Sequence, residues 1–258
     1  CVTRPGFPDW NLIPPAMDLL ARNAPLQEHT RVLLLPCGHG ALGAWIAEHY
    51  PGVDLVLRDT NVIAVDMAQK TMALTQLACR VAAHLPDEEG YDAVLMVAPK
   101  GRAYAKLLML AAHRALVAGG ALYVAGPKAG GIKSTLRDAQ ALLGPPLATA
   151  YGGGNRFAMF RKTGALAGLP PQYAEPGIAP ATYRRFTIEV GGACHTVATR
   201  PGVFSWRKLD EGTRLLLETL DPGYCAEVAD VGCGYGIIGL HLAGRLPGAR
   251  LTLIDVDT

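Results

Sequence analysis

The sequence predicts an α/β protein in which one doubly wound, mostly parallel sheet domain occurs twice, the first copy complete and the second broken off after its second strand. Three observations carry this. Short β-rich apolar runs alternate with helical segments through residues 31–143. Shifted by 196 positions, residues 3–62 fall on 199–258 without a gap, and 18 of those 60 pairs are identical. A glycine-spaced turn stands at the matching place in each copy, LLPCGHGALG at 34–43 and DVGCGYGIIG at 230–239. A period this long marks a duplicated domain rather than a solenoid, whose repeats run to about 20–50 residues.

The elements of the first copy follow in order. RVLLLP (31–36) is a strand, the glycine turn leads into a helix over 41–50, and VDLVLRD (53–59) is a second strand. Residues 62–78 read as a helix at 3.6 spacing, CRVAAHL (79–85) as a weak strand and YDAVLMVA (91–98) as a strong one. A helix from about 102 to 117 is expected to end at Gly119-Gly120, with ALYVAG (121–126) as the next strand. A helix over about 132–143 follows. PLATAY (146–151) and RFAMFRK (156–162) then close the sheet as a hairpin around Gly152, Gly153 and Gly154, giving seven strands and a domain of 1–163.

Residues 164–182, rich in Pro, Gly and Ala and without periodicity, are expected to be a linker. Beyond it, residues 183–258 open with a hairpin around Gly191-Gly192 and an amphipathic helix over 209–220. The strands EVADVG and RLTLID then repeat the first two strands of the first copy. A β-α-β piece alone leaves a parallel edge unpaired, and the chain opens on Cys1 rather than Met, so the reading expects a piece of a longer protein.

Composition narrows the function class. Half the residues are hydrophobic and 18% charged, ample for two cores, yet no apolar run reaches the 18 residues of a membrane span. The opening CVTRPGFPDW lacks the basic and apolar regions of a signal peptide. Six scattered cysteines with no CxxC pair suit reduced thiols in a cytoplasm, with neither a disulfide frame nor a metal site. The net charge of +2 hides a block at 98–163 with ten basic side chains and one acidic, Asp138. Such a block invites a polyanion, and equally describes a solvated basic surface. Within it Lys100, Arg102, Lys106, Lys128, Lys133 and Arg137 follow strand ends or lie on the next helix, where they could share one polyanion-facing rim.

A glycine turn from a first strand into a helix lets a ligand approach the backbone and the free N–H groups of the helix start. Asp255, at the end of the second strand, stands where two ribose hydroxyls can be bound. The G-x-G-x-x-G spacing occurs in both copies and does not separate a dinucleotide from S-adenosylmethionine. The second copy adds Asp230 and Gly232, giving D-x-G-x-G-x-G through Gly234 and Gly236; an acid there suits a cationic amino group and sits poorly beside a pyrophosphate. The first copy has Leu34 and Pro36 at those places. Cys37 and Cys233 read as small loop residues, and His39 as a solvent-facing histidine.

PGVFS (201–205), LDEGTRLLL (209–217), VADVGCGYGIIG (228–239) and, in the first copy, GGALYVAGPKAGGIKS (119–134) carry a resemblance. The chain resembles the bacterial ribosomal RNA small subunit methyltransferase C family, guanine-N2 methyltransferases built from tandem Rossmann-like class I methyltransferase domains. The resemblance implies a spent amino-terminal domain that positions rRNA and a carboxy-terminal domain that binds S-adenosylmethionine, acting in the cytoplasm on ribosomal RNA or the small subunit; the oligomeric state stays open, with a monomer as the expectation. It adds Phe204, Ser205, Asp210 and Thr213 to the cofactor pocket, although packing and helix capping account for them almost as well. It also implies an Asn-Pro-Pro-aromatic motif that holds the target amine. The first copy has Ala98-Pro99-Lys100-Gly101 there, and the intact counterpart is expected beyond Thr258, so no catalytic residue is named within the chain. A non-catalytic RNA-binding protein and an NAD-dependent oxidoreductase remain as alternatives.

Overall fold

The computed structural model describes residues 1–75 and 78–257, which form two units, Cys1–Tyr173 and Ala174–Asp257. In the first unit β1 (Arg31–Leu34), β2 (Asp54–Asp59), β3 (Arg80–Ala83), β4 (Tyr91–Val97) and β5 (Leu116–Pro127) are parallel, and β6 (Ala148–Gly152) and β7 (Asn155–Arg161) form an antiparallel hairpin on β5. The strand order is β3-β2-β1-β4-β5-β7-β6, so the chain reverses direction across the sheet between β1 and β4. In open sheets of this kind such a reversal marks where ligands bind, at the carboxyl ends of the strands. Leu33, Leu34, Leu55, Leu57 and Leu95 are all but fully buried, as strands covered on both faces require.

The helices of this unit are α1 (Pro15–Asn23), α2 (Ala41–His49), α3 (Val62–Met72), α4 (Arg102–Ala115) and α5 (Ile132–Leu143). The sequence reading began at β1 and named no helix at α1. Pro15 in fact occupies the first helical turn, where its fixed φ and missing N–H cost nothing, and Ala16, Met17, Leu19 and Leu20 go into the core. Asn61 caps α3 by accepting from Ile63 N and Ala64 N. That helix stops at Met72 rather than 78: Leu74 and Thr75 donate to Thr71 and Met72 in tighter three-residue turns, and residues 76 and 77 of the expected helix lie outside the described residues.

Gly119-Gly120 corrects a second expectation. It lies inside β5 and does not stop α4, which ends when Leu116 turns extended. Leu116 pairs with Tyr91 and Ala121 with Ala93, so the intervening residues bulge out. Gly119 has φ +84°, and a Cβ on Gly120 would lie 3.0–3.1 Å from Leu116 Cδ2, Val117 O and Tyr91 O. Gly119 is glycine for its left-handed backbone, with open space where a side chain would stand, and Gly120 because the bulge leaves a Cβ no room.

Within 164–182 the chain is tied down at points. Pro171–Tyr173 makes one 3-10 turn, and the buried Tyr173 donates its hydroxyl to Asp138 O at 2.8 Å. The first unit therefore runs ten residues past 163. In the second unit β8 (Arg184–Val190) and β9 (Ala193–Thr199) join through Gly191 and Gly192, both with positive φ, as a two-residue hairpin turn demands. The remaining elements are α6 (Glu211–Thr219), β10 (Glu227–Val231), α7 (Ile237–Arg245) and β11 (Arg250–Ile254). Ile188, Val190, Val197, Leu209, Leu217 and Ile237 form a small core.

β10 and β11 pair in parallel, Glu227 opposite Arg250 through Val231 opposite Ile254, the register of β1 on β2 displaced by 196. At the head of each ladder stands a pair of opposite charges with the signs exchanged: Arg31 Nε lies 3.4 Å from Asp54, and Arg250 Nη1 4.0 Å from Glu227. Burial differs between the copies. Leu57, in β2, is fully buried, whereas its counterpart Leu253 is 45% exposed. No helix among the described residues is long and apolar enough to cross a membrane.

Candidate functional site

The two glycine turns share their backbone hydrogen bonds almost one for one. Gly234 N donates to Asp255 Oδ2 at 2.6 Å, as Gly38 N does to Asp59 Oδ2 at 3.0 Å. Cys233 N donates to Ile254 O and Cys37 N to Arg58 O; Gly236 N returns to Cys233 O and Gly40 N to Cys37 O. Gly234 and Gly38 both have φ +54°, and Gly236 and Gly40 are left-handed residues heading α7 and α2. This backbone is what the shared glycines encode.

In the second unit the turn gathers Asp230, Gly232, Cys233, Gly234, Gly236 and Asp255 at the carboxyl ends of β10 and β11. Asp255 accepts from the amides of Gly234, Val256 and Asp257. Burial pushes its carboxyl up, but these three amides outweigh burial and hold it below the usual carboxylate value. The Asp230 carboxyl is raised, by burial first and then by the nearby Asp255, with the Gly239 amide offsetting part of this. Its Oδ2 is buried with no hydrogen-bond partner among the described residues. A buried carboxylate oxygen left without a donor is complementary to a cation. Burial, Asp255 and Asp230 raise the Cys233 thiol, keeping it protonated and a poor nucleophile.

The family-derived additions behave differently. Ser205, at φ +51°, gives its hydroxyl to Lys208 O at 2.8 Å, and Thr213 donates its amide to Asp210 Oδ2, the cap of α6. Both are engaged in local structure, and Phe204 is 73% exposed. The residue that brings this stretch to the turn is Val203, whose Cγ1 lies 3.4 Å from where a Cβ on Gly234 would stand. The sequence reading passed over Val203, although PGVFS itself was the signal.

The first turn lacks the acid. Leu34 and Pro36 take the places of Asp230 and Gly232, and His39, expected in solvent, is buried. Burial pulls its imidazole down, and its neighbours are Asp9, the amino terminus and the Leu12 backbone. Thr71 Oγ1 donates to His39 O and accepts from Val2 N. The amino-terminal arm thus folds onto the turn and takes His39 out of water.

The six basic candidates divide. Lys100, Lys128, Lys133 and Arg137 are exposed, and none has a carboxylate partner among the described residues. Arg102 makes a two-pronged pair with Asp138 at 2.7 and 2.8 Å, and Lys106 donates to Gln172 O with its ammonium 6.0 Å from the Tyr173 ring. These two hold the first unit together, so the exposed charge resides in the other four. Arg156, omitted from the sequence list, also has no carboxylate partner among the described residues; its place at the turn of the last hairpin was the available signal.

A family model described as "Methyltransferase small domain" matches residues 2–141 and 194–258. The chain is 34% identical over 170 residues to the ribosomal RNA small subunit methyltransferase C of Pseudomonas entomophila, which covers 66% of this chain and 48% of the relative. With the protein of the same name from Shewanella loihica it shares 29% over 245 residues, 93% of this chain and 67% of the relative. Among solved structures, the T. thermophilus 16S rRNA N2 G1207 methyltransferase in complex with AdoMet and guanosine superposes with a TM-score of 0.77 at 30% identity, over 99% of this chain and 65% of that one. The chain thus spans about half to two thirds of the length of the relatives it matches.

Proposed function

The chain belongs to the methyltransferase small domain family, and on that premise we propose that it is part of an S-adenosylmethionine-dependent methyltransferase acting on the exocyclic N2 amine of a guanine in small-subunit ribosomal RNA. In this reading the second unit begins the catalytic domain and the first is a spent copy that positions rRNA, the whole working as a cytoplasmic monomer.

The observation that carries the cofactor assignment is the orphaned, buried Oδ2 of Asp230 beside a glycine turn. A methionine ammonium supplies the donor that this oxygen lacks, whereas a dinucleotide pyrophosphate would add like charge. Asp255, ionised by its three amides, is the acceptor for ribose hydroxyls. Gly232, Gly234 and Gly236 keep the backbone open to a close ligand, and Val203 packs under the turn. When bound, the cofactor supplies an electrophilic methyl on a sulfonium. The residues of this chain hold and orient it, a contribution of positioning rather than acid–base chemistry. The exposed Lys100, Lys128, Lys133 and Arg137 support the RNA-facing role of the first unit.

Two measurements test this. Calorimetric titration of the protein with S-adenosylhomocysteine should show saturable binding that NAD does not match; tighter NAD binding would overturn the cofactor. Labelled methyl transfer by the intact protein should be recovered as N2-methylguanosine in small-subunit rRNA, and label on any other atom would refute the assignment.

A further inference from the structure

β6 is the outermost strand of the first sheet, and Tyr151 stands on it with 62% of its surface exposed. One exposed tyrosine is ordinary. Its ladder partner is not. Tyr151 pairs with Arg156 of β7, whose guanidinium carbon lies 5.1 Å from the ring centroid. Arg156 in turn pairs with Gly126 of β5, and a Cβ on Gly126 would lie 3.2 Å from Ile132 in the first turn of α5. Gly126, Arg156 and Tyr151 therefore make one row across three strands, on the face that α5 covers.

The Arg156 Nε is buried with no hydrogen-bond partner, and no carboxylate pairs with its guanidinium among the described residues. Its charge is held against an aromatic ring and left uncompensated. Lys128 N donates to Gly154 O at 3.0 Å, fixing that exposed lysine to the same hairpin turn. Lys100 follows the next strand inward, β4. The one acid of the 98–163 block, Asp138, is already bound by Arg102.

Lysines alone fit any polyanion. A guanidinium resting on an exposed ring offers in addition a flat, cationic surface of the kind on which single-stranded bases stack. We propose that Tyr151 and Arg156 form a stacking platform for an unpaired RNA base, with Lys128 and Lys100 contacting the adjacent phosphates. This rests on the reading of the first unit as RNA-facing, and it adds to that reading the strandedness of the RNA. A duplex keeps its bases stacked inside and offers the platform nothing.

The test uses the intact protein, a short unstructured oligoribonucleotide and a duplex of equal length. Tyr151→Leu should weaken single-strand binding about 5- to 100-fold, and Tyr151→Phe less than about twofold, because stacking needs the ring and not the hydroxyl. Neither should change the slope of log affinity against log salt, whereas Lys128→Ala should reduce it by about 0.7. A 2-aminopurine in the oligonucleotide should be quenched on binding the unaltered protein and not on binding Tyr151→Leu, a readout independent of any effect on folding. Wild-type affinity for Tyr151→Leu together with weakened Lys128→Ala would overturn the platform and leave the RNA reading standing. Wild-type affinity in both would overturn the RNA reading and the platform with it. Equal losses in Tyr151→Phe and Tyr151→Leu, or equal preference for the duplex, would also overturn the platform.

Discussion

Replacing Arg102 with alanine separates a structural charge from an RNA-binding one. The Asp138 side chain is 3% exposed and that of Arg102 is 53% exposed, joined by bonds of 2.7 and 2.8 Å. Removing one member of a fully buried pair costs about 3–5 kcal/mol, because the other charge is left without a partner. Half of Arg102 lies in water, so screening reduces the loss to about 2 kcal/mol. With a urea dependence of about 2 kcal/mol per molar, the midpoint for the first unit should fall by about 1 M. Trp10 and Trp45 lie in this unit, which makes tryptophan fluorescence a suitable readout. Adding Asp138→Asn to Arg102→Ala should recover part of the loss, since a neutral amide is cheaper to bury than an unpaired carboxylate. The salt slope of RNA binding should stay unchanged. An unaltered midpoint combined with a slope reduced by about 0.7 would show that Arg102 meets phosphate, and the structural assignment would fall.

Two further outcomes follow from the duplication and the cofactor turn. A Cβ on Gly43 would lie 2.9 Å from Leu57 Cδ2, and one on Gly239 2.9 Å from Leu253 Cδ2. Leu57 is walled in, so Gly43→Ala should destabilise by up to about 2 kcal/mol, an overpacking cost of about 1–3 offset by about 1 of helix propensity. The exposed Leu253 can swing away, so Gly239→Ala should be near neutral; hydrogen exchange of α2 and α7 amides compares the two, and equal costs would contradict the packing account. Asp230→Asn should abolish S-adenosylhomocysteine binding yet raise the stability of the second unit. The sign follows from the raised carboxyl: the folded state binds the proton more tightly, so stability falls as pH rises from the ordinary 3.8 through the raised value. Asparagine removes that loss, and a thermal melt at pH 4 and pH 7 reads it; a destabilised variant at pH 7 would refute it.

What was legible in the sequence is what the backbone imposes. Glycines with positive φ, the cap at Asp210 and the β-α alternation are local demands, and each leaves a residue at a fixed place. The glycine turn was legible for the same reason, twice over, since Gly38 and Gly234 repeat one conformation. Pairings across the fold were not. Asp138 lies 36 residues from Arg102 and Gln172 66 from Lys106, so nothing local told these charges apart from the free lysines. His39 was misplaced because the arm that covers it comes from the other end of the unit's first thirty-odd residues. Gly119-Gly120 had the look of a helix stop, and only the register of β5 against β4 shows it as a bulge.

The exchanged charges at the heads of the two ladders bear on how a duplicated chain sorts itself while folding. β1 and β10 descend from one strand, as do β2 and β11, so each has a near twin for a competitor. Pairing β1 with β11 would set Arg31 against Arg250, and pairing β10 with β2 would set Glu227 against Asp54. Like charges directly opposed destabilise a ladder, while the correct partners attract. Tandem copies are prone to misassembly between domains. Here one exchange of sign, at a position that leaves the glycine turns untouched, adds a small bias, about 0–1 kcal/mol per exposed pair, toward pairing within each copy.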